Sequence, residues 1–173
     1  MSDAHSAFLV VYYSRGGRTR RIAEMLASEL GADIEPICER SLGVARGRGR
    51  GYVRSLVDAW LRRRIDLLPA RHDVSSYDVV VVGSAVWASH ASAPAVTWLK
   101  DHGARIRRLA LLCCLRRRGG RQALTQMARA AGKPAIASCA VTARDLRFGI
   151  DGVKRQAFAR RIKHRLPIHQ EAE

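Results

Sequence analysis

Between residues 12 and 26 the sequence reads YYSRGGRTRRIAEML, a glycine pair set among arginines and hydroxyl residues, between an apolar run and a helical pattern. Ser14 and Thr19 supply hydroxyls, and Gly16 and Gly17 let backbone N–H groups approach a ligand closely. The helix that follows offers free N–H groups and the positive end of its dipole. Those are the parts of a phosphate nest. A tight turn between strand and helix needs the same glycines, so this stretch alone is satisfied by either reading. It is neither the lysine-bearing Walker A loop nor G-x-G-x-x-G.

A second stretch, YDVVVVGSAVW over residues 77–87, leads into ASHASAP. Trp87 stands just past a buried run, where its ring either covers a planar aromatic ligand at a crevice mouth or caps the sheet as a core residue. His90 either bonds a ligand or is an exposed loop histidine. A third stretch, CLRRRGG over residues 114–120, carries three consecutive arginines. No carboxylate or histidine pair converges on these segments, so no catalytic residue is assigned. Cys38, Cys113, Cys114 and Cys139 show neither C-x-x-C nor zinc spacing, and three of them sit in apolar runs as small buried thiols. No metal site is expected.

The elements that must position these segments follow from hydrophobic periodicity. Ala7 to Tyr13 is a continuous apolar run, as in a central parallel strand covered on both faces. Ile22, Met25, Leu26 and Leu30 then fall at helical spacing, with Gly31 as the stop. ADIEPICE, residues 32–39, reads as a second strand, and Pro36 puts it at a sheet edge. Residues 40–51, RSLGVARGRGRG, read as a loop, with an RNA-binding glycine-arginine tract as the other reading. Tyr52 to Ile65 carries the apolar stripe of an amphipathic helix that packs on the sheet or, being basic, lies on a membrane or partner.

Residues 77–87 are the next buried strand, a helix passes through Val96 and Leu99, and RLALLCC is another strand. Residues 120–132 form a helix stopped by Gly132 and Pro134, AIASCAV is the last strand, and a final helix spans Asp151 to Arg165 with Val153, Phe158 and Ile162 inward. Alternating strands and helices call for an α/β fold: a doubly wound five-stranded parallel sheet in the order 2-1-3-4-5, helices on both faces, in one domain over residues 1–173. In that order ligands bind at the carboxyl ends of strands one and three. The crevice is then lined by Ser14 to Thr19, Ala85 to Ser92 and Cys114 to Gly120.

The chain has 173 residues, 47% of them hydrophobic, with a formal net charge of +16; of its 31 basic residues only Lys100, Lys133, Lys154 and Lys163 are lysines. Such a balance speaks of an anionic partner or of a genome rich in arginine codons, and says little about fold. No apolar stretch approaches the roughly 20 residues of a membrane helix, and the N-terminus lacks a signal-peptide pattern. A reduced, cytoplasmic protein is expected.

Taken together, VVYYSRGGRTRRIAEMLA and YDVVVVGSAVWASHASAPAVTWL resemble the flavodoxin-like family, from about Phe8 to Val141. The resemblance implies FMN as cofactor, with its phosphate held by Ser14, Arg15, Gly16, Gly17, Arg18 and Thr19. Gly16 stands where the family has a hydroxyl residue, and Arg15 and Arg18 replace the lost bond with charge. Ala85, Val86, Trp87, Ala88, Ser89 and His90 match the segment along the isoalloxazine ring. Family members often carry proline at the position of Ala85 and glycine at that of Ser89. Losing the first loosens the loop, and the serine blocks a backbone flip that accompanies flavin reduction.

The third segment, Cys114, Leu115, Arg116, Arg117, Arg118 and Gly119, departs most from the family's small, glycine-rich loop. Its arginines would favour the anionic reduced forms of a flavin and raise its potential, or else crowd the pocket. The resemblance therefore implies an FMN-binding redox protein: a small NAD(P)H or quinone oxidoreductase, or an electron carrier with an acidic partner. The alternative is a flavin-free flavodoxin-like domain whose arginines bind nucleic acid or another polyanion.

Overall fold

The computed structural model describes residues 6–40 and 65–166. Its strands are β1 (Phe8–Tyr13), β2 (Asp33–Pro36), β3 (Val79–Trp87), β4 (His90–Ala91), β5 (Leu109–Leu115) and β6 (Ala135–Thr142). Its helices are α1 (Arg18–Leu30), α2 (Ala93–His102), α3 (Gly120–Ala131), α4 (Ala143–Arg147) and α5 (Asp151–His164). The five long strands run parallel in the order β2-β1-β3-β5-β6, which is the expected 2-1-3-4-5 order once β4 is set aside. The two-residue β4 folds back antiparallel on the end of β3. The loop expected over 40–51 and the helix expected over 52–65 lie, but for Arg40 and Ile65, outside the described residues.

The apolar runs make sense because the sheet is covered on both faces. On one face Leu9, Val11, Val80, Val82, Leu111 and Cys113 pack against Trp98 and Leu99 of α2 and Met127 of α3. On the other, Val10, Val81, Leu112 and Cys139 meet Ile22 and Leu26 of α1 and Phe158 and Ile162 of α5. Adjacent strand residues go to opposite faces, so a run such as Val79 to Val82 must be apolar throughout.

β2 is an edge strand, as Pro36 requires, but it stops at Pro36, opposite Tyr12, short of the expected Glu39. Beyond it the chain pairs with returning residues instead: Arg40 N–H donates to Asp66 O and Leu68 N–H to Cys38 O, each at 2.9 Å. At the opposite edge, β6 has outward carbonyls that are already taken. Arg161 Nη2 donates to Ser138 O at 3.0 Å, and Lys154 Nζ to Ala140 O at 3.4 Å.

The final helix corrects the expectation for Val153, which is 66% exposed. The buried positions of α5 are Arg155, Phe158, Ala159 and Ile162. At about 100° per residue, Val153 lies roughly 160° from the centre of that face. Arg155 is tolerated inside because its guanidinium meets Glu29 Oε1 at 2.7 Å and Asp151 Oδ2 at 3.2 Å, tying α5 to α1.

Candidate functional site

The carboxyl ends of β1, β3 and β5 carry the predicted segments, and side-chain contacts draw the three together. The first segment leaves β1 at Tyr13, whose hydroxyl donates to Glu39 Oε1 at 2.5 Å. Burial first, and then this bond to Glu39, push the Tyr13 phenol well above its ordinary pKa, so it stays protonated. Gly17 closes the turn in the left-handed conformation at φ 79°, and a Cβ built on Gly16 or Gly17 would meet nothing within 4 Å. The space above the turn is open.

Helix α1 starts there with no side-chain cap and no acidic residue in its first turn. Its first N–H groups and dipole end are thus offered outward. Ser14 Oγ is buried and has no hydrogen-bond partner. Buried hydroxyls are almost always satisfied, so this one marks a place where an acceptor or donor belongs. Thr19 behaves differently. Its side chain is buried beside Cys114, whose thiol it draws down against the larger effect of burial.

The second segment is a hairpin and not an open loop. Ala85, Val86 and Trp87 are the last residues of β3, Ala85 pairs with Cys114 of β5, and Trp87 pairs with His90. Ala85, where the family often has proline, is thus held in the ladder. Ala88 (φ 47°) and Ser89 (φ 66°) both take left-handed conformations, the geometry of a two-residue type I′ turn that favours Asn-Gly. His90 Nδ1 donates to Ala88 O at 2.7 Å, which turns the ring back on its own hairpin.

Contacts not foreseen from the sequence brace this hairpin. Ser84 and Ser92 share a buried hydrogen bond at 2.8 Å, and Ala91 N–H donates to Gln126 Oε1 at 2.9 Å. A serine within the valine run of β3 was the available signal, because a buried hydroxyl needs a partner.

Trp87, the last residue of β3, is 41% exposed and so is not a core residue. Arg15 crosses from the first segment with Cζ 5.4 Å from the Trp87 ring centroid. The third segment meets the second at Gly119 (φ 96°), where an added Cβ would lie 2.4 Å from Ser89 Cα. Arg116, Arg117 and Arg118 between them are exposed, as is Arg18. Val86, Cys114 and Leu115, by contrast, point into the core. Burial pushes the Cys114 thiol up to about 12, against the opposing pull of Thr19 and Arg18, so it stays protonated and unreactive at neutral pH.

The arrangement sets Ser14 to Arg18 at the start of α1, the exposed Trp87 ring and the exposed Arg116, Arg117 and Arg118 together at the carboxyl ends of β1, β3 and β5. Among the described residues no group of three or more His, Cys, Asp or Glu is placed to hold a metal. A groove of about 770 Å³ between α3 and β6, lined by Leu111, Leu124, Ala128 and Pro134 among others, lies apart from the three segments. No helix among the described residues is long and apolar enough to cross a membrane.

No family model matches the sequence, and neither does any curated protein. Solved structures do match. A flavoprotein of Lactobacillus acidophilus NCFM in complex with FMN is 19% identical, with a TM-score of 0.64 over 82% of this chain and 96% of its own. Flavodoxin 1 of Bacillus cereus is 14% identical, with a TM-score of 0.52 over 92% of this chain and 99% of its own. A flavodoxin from the domain Archaea is 15% identical, with a TM-score of 0.51 over 91% and 99%. The chain has the flavodoxin-like fold, shared with FMN-binding flavoproteins at low sequence identity.

Proposed function

We propose that the crevice binds FMN and that the protein is a flavin-dependent redox protein. The observation that carries this reading is the buried, unpartnered hydroxyl of Ser14 beneath an uncapped helix N-terminus. A phosphate there satisfies the hydroxyl and the first N–H groups of α1 together. Arg15 and Arg18 supply the charge that Gly16 does not, and Trp87 provides an aromatic face for the isoalloxazine ring. The fold shared with the FMN-bound Lactobacillus acidophilus flavoprotein supports the same choice.

When bound, FMN supplies the electron transfer, and the protein's part is to hold and tune it. Thr19, buried in the first turn of α1, braces the turn from inside. Ala88 and Ser89 set the height of the hairpin beside the ring, and Arg116, Arg117 and Arg118 place positive potential at the rim. A basic rim suits a small-molecule acceptor such as a quinone, or an acidic protein partner, better than it suits a basic reductase.

The test is the visible spectrum of the purified protein with FMN titration. A flavin spectrum or saturable binding is expected, and Trp87→Ala should weaken that binding on the order of tenfold. A protein that takes up no FMN, and is held on heparin until salt releases it, would instead be the polyanion-binding domain.

A further inference from the structure

Between α4 and α5 the chain makes an exposed turn, Phe148 to Ile150, beyond the carboxyl end of β6. Phe148 is 61% exposed, Ile150 45% and Val153, in the first turn of α5, 66%. Single exposed apolar residues are ordinary, but three within six positions on one turn call for an explanation. Phe148 is also flanked by guanidinium groups: Arg144 Cζ lies 5.7 Å and Arg147 Cζ 6.0 Å from its ring centroid.

Neither arginine has a carboxylate within salt-bridge distance among the described residues. The nearby acids are committed elsewhere, Asp145 to Lys154 and Asp151 to Arg155. The turn is held firmly despite its exposure. Phe148 N–H donates to Arg144 O at 3.0 Å and Ile150 N–H to Asp145 O at 2.9 Å, while Thr142 and Asp145 form a capping box on α4.

We propose that this turn docks the protein on an anionic phospholipid surface, Phe148, Ile150 and Val153 entering the headgroup–acyl boundary while Arg144 and Arg147 bind lipid phosphates. Exposed apolar side chains beside basic groups that have no carboxylate partner among the described residues match a bilayer interface, which takes up apolar side chains beneath a layer of negative charge. An acidic protein would answer the arginines, but its carboxylates would not answer the exposed apolar side chains of Phe148, Ile150 and Val153. The net charge of +16 adds the long-range attraction. This surface is separate from the crevice residues, so lipid binding stands or falls independently of FMN.

The experiment is sedimentation of the full chain with vesicles of phosphatidylglycerol and phosphatidylcholine, and with vesicles of phosphatidylcholine alone. Binding is expected to the anionic vesicles and to weaken with salt. The triple variant Phe148→Ser, Ile150→Ser, Val153→Ser should bind them at least about tenfold less well. Arg144→Gln and Arg147→Gln should each weaken binding about fivefold. Phe148→Trp, which keeps an interfacial aromatic, should retain it. Equal binding by the triple variant, folded by circular dichroism, would overturn the proposal, since general positive charge would then account for everything. So would a triple variant that keeps vesicle binding but loses retention on immobilised polyglutamate, which would make the turn a protein-docking site.

Discussion

At the scale of single residues, Ser14 and Thr19 look interchangeable in the sequence, two hydroxyls flanking a glycine pair, yet the fold gives them opposite tasks. Thr19 is buried in the first turn of α1, so it serves the core; Ser14 Oγ is also buried but is left without a partner. An unsatisfied buried hydroxyl costs about 1–3 kcal/mol. Ser14→Ala should therefore leave the free protein's thermal stability unchanged or slightly raised, while weakening FMN binding about tenfold or more. Calorimetric melting and flavin titration on the same sample separate the two effects, and an unaltered FMN affinity would remove Ser14 from the site. The distinction was not legible beforehand because it depends on where β5 ends, not on residue type. Trp87 was more legible, since a large aromatic at the end of an apolar run has few places to go.

Elements explain where the periodicity argument misled. The run expected as a strand over 77–87 is one only from Val79, and the hairpin that follows carries no glycine, so nothing in ASHA announces a type I′ turn. Ala88 and Ser89 adopt positive φ without glycine's freedom. Ser89→Gly should stabilise the protein by about 0.4–1 kcal/mol, read as a higher midpoint in urea denaturation; a lower midpoint would mean that the serine side chain holds the hairpin. Helix α4 was missed although its signal was present: Thr142 and Asp145 have the spacing of a capping box. Burial alone would raise the Asp145 pKa, but the bonds from Lys154 and from Thr142 outweigh it and hold the carboxyl below its usual range. A depressed folded pKa contributes stability above the ordinary aspartate pKa and loses it as pH falls through the folded value. Asp145→Asn should thus destabilise by about 1 kcal/mol at neutral pH. The gap from wild type should close in acid below the ordinary aspartate range, which denaturation at a series of pH values would reveal.

For the whole molecule, the sheet order could be read from the valine-rich runs and from Pro36, because only a doubly wound arrangement buries both faces of β1, β3 and β5 and leaves β2 at an edge. The gathering of charge could not be read this way, since arginine recurs along the entire chain. The fold sets Arg116, Arg117 and Arg118 on the rim beside Trp87's hairpin through the contact of Gly119 with Ser89. Replacing all three by glutamine should lower the reduction potential of the FMN-loaded protein by on the order of tens of millivolts, less at high salt. Spectroelectrochemical titration measures it, and an unchanged potential would mean the arginines point away from the flavin. The far edge of the sheet has a different consequence. Ser138 and Ala140 carbonyls on β6 are already bonded to Arg161 and Lys154. A neighbouring copy meets two cations where it would need free acceptors, so a protein built on long valine and leucine strands is kept from adding strand to strand into fibrils.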